Sequence, residues 1–241
     1  MPETDLEAGY IHQRWRCWQL GWRHQRFVMP HQRVHLCLKC RKKKKYLTVD
    51  VADGGNDDTV VKVWENKTEK RCERFPGKRA DEVYADVWRI CKEENANTII
   101  YDNDGVGRVL GGLLRGVVDK NIDIISFDGS GEPLDDTDFY NRRAEAHFLM
   151  FKDFRDNQLS ILKGNTNQKE EITSVQWGRP KNGKMIVETK KELKERIGRS
   201  PDDGDCVMMM SGCYEQVRFI NEADNMYVYR NRAKNKSWQA A

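Results

Sequence analysis

The sequence predicts an α/β fold, a mixed β-sheet flanked by helices, and three observations carry that expectation. YLTVDVA (46–52) and TVVKVWE (59–65) are rich in β-formers and are joined by the turn chemistry of DGGNDD, which makes a hairpin. The 80–94 stretch sets Val83, Val87, Ile90 and Cys91 at helical spacing. Short apolar runs and helical patterns then alternate through NTIIYD (97–102), GVGRVLGGLLRGVV (105–118) and IDIISF (122–127). A hairpin followed by strand–helix alternation gives a mixed sheet with helices packed on it.

The remaining elements follow in order. A third strand is expected near 70–75. A long helix is expected over 139–156, with Ala144, Phe148, Phe151 and Phe154 turned inward. The 159–179 region has no clear period. A strand is expected over 184–188 and a short helix over 190–196. In SPDDGDCVMMM (200–210), Ser200 suits an N-cap and Pro201 the first helical position, so a last helix starts there and runs into an apolar stretch.

The chain has 241 residues and a formal net charge of +4, but the charge is unevenly divided. Residues 1–45 carry 11 Lys/Arg against three Asp/Glu, whereas residues 46–241 carry 31 against 35. We expect three parts: a basic, poorly ordered extension over 1–45, a folded domain over 46–220, and a polar basic tail over 221–241. The run RKKKK (41–45) suits either phosphate contact or a solvated segment. His31, His35, Cys37 and Cys40 resemble half a zinc site, but a second CxxC pair at matching separation is missing, so an extension without metal is the expected state. The seven cysteines are odd in number and irregularly spaced, which excludes a disulfide framework. No apolar run spans a membrane and no signal-peptide pattern opens the chain, so a cytoplasmic location without membrane contact is expected.

The chemistry lies in the placement of acids. Asp50 ends the first strand, and Asp102 ends NTIIYD with Asp104 two residues on. If those strands are neighbours, both carboxylates sit at one carboxyl edge of the sheet, where α/β proteins place ligands. Asp202 and Asp205 are three apart on the last helix and share a face, while Asp203 is expected in solvent. Carboxylates crowded within about 4–6 Å raise one another's pKa unless a cation lies between them. Oxygen donors of this kind favour Mg²⁺ or Mn²⁺, and a pair of such ions suits phosphodiester hydrolysis. Taken singly, each acid is equally an ordinary turn or helix-start residue. GxGxxG and GxxxxGK[ST] are both absent, so neither a dinucleotide fold nor P-loop ATP hydrolysis is supported.

Four segments in order, VDVADGGNDDTVV (49–61), IIYDNDGVG (99–107), YNRRAEAHF (140–148) and KMIVETKKELKERIGRSPDDGDCVMM (184–209), resemble the C-terminal nuclease domain of the large terminase subunit of tailed bacteriophages. The resemblance implies an RNase H-like fold and a metal-dependent DNA endonuclease acting in viral genome packaging. It implies that Asp50, Asp102 and Asp202 are catalytic metal-binding acids, with Asp205 a further ligand and two Mg²⁺ or Mn²⁺ ions. Asp53, Asp104 and Glu145 are implied as supporting residues. Arg142, Arg143 and Lys184 are candidates for DNA contact, with a helix-surface role equally open for the two arginines. Asp203 and Gly204 depart from the apolar residue and the Ala expected there. The implied partners are double-stranded DNA, a separate terminase ATPase chain, a small terminase subunit and a portal protein, because residues 1–45 show no likeness to a motor. Another RNase H-like nuclease (a junction resolvase or hybrid nuclease) and an inactive DNA- or portal-binding remnant remain as alternatives.

Overall fold

The structure is a computed structural model that describes residues 44–52, 57–179 and 183–217. Asp53, the His31/His35/Cys37/Cys40 group, most of the RKKKK run and the 221–241 tail lie outside the described residues.

Five strands form the central sheet: β1 (Lys45–Asp50), β2 (Asp58–Glu65), β3 (Thr68–Pro76), β4 (Thr98–Asp102) and β5 (Asp123–Phe127). Their spatial order is β3-β2-β1-β4-β5. The first three are antiparallel neighbours; β1 runs parallel to β4 and β4 parallel to β5. Strand alternation sorts the side chains into two cores. Leu47, Val49, Val61, Val63, Ile99 and Tyr101 face α1 (Ala80–Glu94) and α2 (Gly107–Val117). Tyr46, Val60, Trp64 and Ile100 face the opposite way, toward α3 (Arg142–Arg155) and a last helix, α6, over residues 202–217.

The smaller elements lie between. Residues 159–179, without a period in the sequence, hold α4 (Thr166–Thr173) and the short strand β6 (Trp177–Gly178). The latter pairs with β7 (Ile186–Val187), and α5 (Lys190–Ile197) follows. Thr189 caps α5 through the Glu192 amide, and Gly198 ends it at φ 78°, a left-handed turn that favours glycine. That turn directs the chain to Ser200 and α6.

Two expectations about helices need correction. The long helix begins at Arg142, not 139, because Asn141 is its N-cap and accepts a 2.9 Å bond from the Ala144 amide. Its buried face holds Ala144, Ala146, His147 and Met150, with Phe151 and Phe154 half-buried against the same core as expected, whereas Phe148 is not part of it. The Phe148 ring instead packs edge-on against Trp177 at 5.7 Å. In α6 it is the Pro201 carbonyl that accepts the first helical bond, from the Asp205 amide at 2.8 Å, so Pro201 stands where Ser200 was expected.

Candidate metal-binding site

Asp50 and Asp102 end parallel neighbouring strands. The register pairs Val49 with Tyr101, which puts the two aspartates one step further along at the same edge and on the α6 side of the sheet. Gly107 makes the tight exit from β4 possible, since a Cβ there would lie 1.6 Å from the Asp102 carbonyl oxygen. The Asp104 amide donates to Asp102 Oδ1 at 3.1 Å and fixes that carboxylate, while the Asp104 side chain is exposed.

The first turn of α6 brings the other two acids. Asp202 and Asp205 project toward Lys190 at the start of α5, whose Nζ lies 2.9 Å from Asp50 Oδ2, 3.0 Å from Asp205 Oδ2 and 3.6 Å from Asp202 Oδ1. The ammonium of α5 thus joins three carboxylates from two separate segments, the end of β1 and the first turn of α6. Ser200 Oγ hydrogen-bonds the Asp202 carboxylate, and Arg143 Nη1 holds Asp205 Oδ1 at 2.9 Å.

Proton affinities follow from this crowding. Burial pushes Asp50 up to about 7, with Lys190 pulling it down and Asp205 and Asp202 adding repulsion. Burial likewise raises Asp102 to about 7, helped by the Asp50 charge. Asp202 is raised by burial against the pull of Lys190. Asp205 runs the other way: burial disfavours its charge, but Arg143 and Lys190 outweigh it and hold the carboxyl well below the usual range. Lys190, half-buried and partly desolvated, is held well above its ordinary value by the three carboxylates.

The donor set suits a hard divalent cation: oxygen ligands with two members whose charge is poorly compensated. As they stand, no three His, Cys, Asp or Glu groups among the described residues are arranged to hold an ion. The physical reason is visible in Lys190, which supplies the positive charge at the point where the carboxylates converge. A cation placed there would compete with this ammonium for the same carboxylates.

The other sequence-derived candidates fall elsewhere. Arg142, considered for DNA contact, is buried, with its guanidinium bonded to Glu145 and to the Gly212 carbonyl; it ties α3 to α6. Glu145 also accepts from the Leu134 and Asp135 amides at 2.8 and 3.2 Å, so it braces the loop before α3. Lys184 is half-buried beside β7. Asp203, expected in solvent, is fully buried: Lys62 Nζ lies 2.7 Å from its Oδ1, and Arg74 pairs with its Oδ2. Two cations meet the carboxylate, Lys62 from inside the protein and Arg74 from the partly exposed side.

Sequence reasoning missed Lys190 and His147. A lysine at the start of a charged helix looks solvated, and only the KK pair just after a strand marked the place. His147, one turn beyond Arg143, is buried with both ring nitrogens unpartnered, and burial, then Arg143, lowers it to about 3.

No protein-family profile matches the sequence, and no curated protein matches it. Solved structures do. The nuclease domain of the large terminase subunit gp2 of bacterial virus Sf6 superposes with a TM-score of 0.63 at 24% identity, covering 72% of this chain and 90% of that one. A lysine-to-alanine variant of that domain with manganese gives 0.61 at 23% identity, covering 72% and 91%. The large terminase nuclease from thermophilic phage G20c with bound cobalt gives 0.52 at 15% identity, covering 73% and 82%. The described residues therefore have the fold of phage terminase nuclease domains, an RNase H-like mixed sheet between helical layers.

Proposed function

We propose that this protein is a divalent-metal-dependent DNA endonuclease of the phage terminase type. The observation that carries the reading is the convergence of Asp50, Asp202 and Asp205 on one ammonium, with Asp102 beside Asp50 at the sheet edge. Similar folds with manganese and with cobalt support the same conclusion.

Asp50, Asp102, Asp202 and Asp205 would hold Mg²⁺ or Mn²⁺, two ions in the reading we favour. Bound there, such ions supply an activated water and charge stabilisation for the leaving oxygen of a phosphodiester. The chain's own residues prepare the site. Arg143 keeps Asp205 ionised and oriented, Ser200 orients Asp202, and the Asp104 amide orients Asp102. Lys190 stabilises the metal-free cluster and must withdraw its ammonium when a metal enters. No side chain need become a covalent nucleophile, and Arg143, the half-buried neighbour of the acids, is the candidate for a phosphate contact.

The proposed substrate is double-stranded DNA in the cytoplasm of a bacterial host. If the process is genome packaging, an ATPase motor chain, a small terminase subunit and a portal protein are the partners it requires. Among the described residues no helix is long and apolar enough to cross a membrane.

The test is cleavage of supercoiled plasmid with Mn²⁺ or Mg²⁺, alongside Asp50→Asn, Asp202→Asn and an EDTA control. We expect nicked and linear products from the wild type alone. A wild type that leaves plasmid intact, or variants that cut as fast, overturns the reading. Selective cleavage of RNA–DNA hybrid would replace the substrate assignment.

A further inference from the structure

Over residues 206–210 the packing of α6 does not by itself fix its rotation. Cys206, Val207, Met208, Met209 and Met210 are consecutive, apolar and all buried. A helix greasy on every side has no stripe that fixes its rotation, and methionine adapts to several packings. A one-residue slip would turn it by about 100° and move it about 1.5 Å. Yet Asp202 and Asp205 must reach Asp50 and Asp102 from this helix.

Two polar contacts remove the ambiguity at its first turn. From α4, Glu171 Oε2 accepts from the Gly204 amide at 2.9 Å, doing from another helix what an N-cap side chain does. From the sheet, Lys62 Nζ reaches Asp203 Oδ1 at 2.7 Å and Glu69 Oε1 at 2.7 Å. Lys62 stands between Val60 and Trp64 on the α6 face of β2, and its side chain is fully buried. Further groups join the network. Arg74 takes Asp203 Oδ2, and Glu69 Oε2 accepts from Gln168 Nε2 at 2.9 Å and the Leu162 amide at 3.1 Å.

Resting on the function proposed above, we propose that the buried Lys62–Asp203 pair is a positioning device that sets the rotation of α6, and so the placement of Asp202 and Asp205. Buried ion pairs seldom add net stability, since apolar replacements of similar volume are often neutral or stabilising; their best-attested role is fixing register. Asp203 lies about 100° round the helix from Asp202. Anchoring it to the sheet therefore leaves Asp202 and Asp205 directed at the sheet edge. Lys62 and Asp203 touch no reacting atom; they act through the helix.

The test compares the wild type with Asp203→Asn and with the triple variant Lys62→Met/Glu69→Gln/Asp203→Leu, which removes the three charges together. Thermal melting reads the fold, Mn²⁺ titration by electron paramagnetic resonance reads the metal site, and plasmid cleavage reads kcat and KM. We expect melting near that of the wild type for the triple variant. Both variants should bind Mn²⁺ about 10-fold or more weakly and lose about 10–100-fold in kcat, with KM for DNA little changed, since misplacement of about 1 Å is costly at a reacting centre. If the triple variant fails to fold, Asp203→Asn, which preserves shape, decides alone. Folded variants with wild-type Mn²⁺ affinity overturn the positioning role whatever the wild type does to DNA. Weakened Mn²⁺ binding in variants of a protein that never cuts would uphold the positioning role and overturn the nuclease reading. A wild type that binds no Mn²⁺ overturns both.

Discussion

Lys190 Nζ lies 2.9 Å from Asp50 Oδ2, although the two residues are 140 positions apart in the chain. One ammonium holds together a strand end and the first turns of two helices. On the proposed metal-binding reading a divalent cation would compete with the lysine for the same carboxylates, and the first prediction follows.

Lys190→Ala should bind Mn²⁺ more tightly, by roughly 10-fold, because the competing charge is gone and the repelling carboxylates remain. Without metal the same variant should melt below the wild type. Titration calorimetry and melting curves check the two halves separately. Equal affinity in both proteins would show that the ammonium does not compete.

The metal-free protein should lose stability as pH rises from about 4 to 7. Asp50 and Asp102 are raised to about 7, so between the unfolded value and 7 the folded state holds more protons than the unfolded state. Stability falls with pH wherever that is so. Asp205 contributes in the opposite sense, but only below about pH 4, where its ordinary carboxyl would take up a proton. Added Mn²⁺ should abolish the decline, and its binding should release protons below pH 7. Melting midpoints across pH 4–8, with and without Mn²⁺, measure this.

Gly212→Ala should destabilise the protein. A Cβ at this position would meet the Ala146 Cβ at 2.8 Å and Phe127 Cε2 at 3.2 Å. Overpacking of this kind costs about 1–3 kcal/mol, against a gain of about 1 kcal/mol in helix propensity. Chemical denaturation should show a net loss, and a gain would mean that α3 and α6 separate easily.

Glu145→Ala should cost about 3–5 kcal/mol, since it strands the buried Arg142 guanidinium and releases the amides of Leu134 and Asp135. The loss should appear in denaturation without DNA present. That outcome separates Arg142 and Glu145 from residues that act by touching substrate.

Much of the frame was legible in the sequence because local pattern determines it. The 80–94 helix has matching period and bounds, and Asp50 and Asp102 follow from strand ends and parallel order. What escaped depends on partners distant in the chain. Asp203 looks solvated until Lys62 and Arg74 come in beneath it, and Arg142 looks like a surface arginine until the Gly212 carbonyl crosses its path. Lys190 sits at a helix start where lysine signals nothing. Gly204, a departure from the expected Ala, is explained by closeness: a Cβ there would stand 3.2 Å from the Glu171 Cβ, where α4 meets the start of α6.

The wide separation of Asp50, Asp102, Lys190 and Asp202 along the chain also bears on synthesis. A ribosome that has made β1 to β5 has released only two of the four acids, and a nascent or broken chain ending before residue 202 has no means of completing the group. The centre therefore exists only once the last of these helices has been translated and has docked.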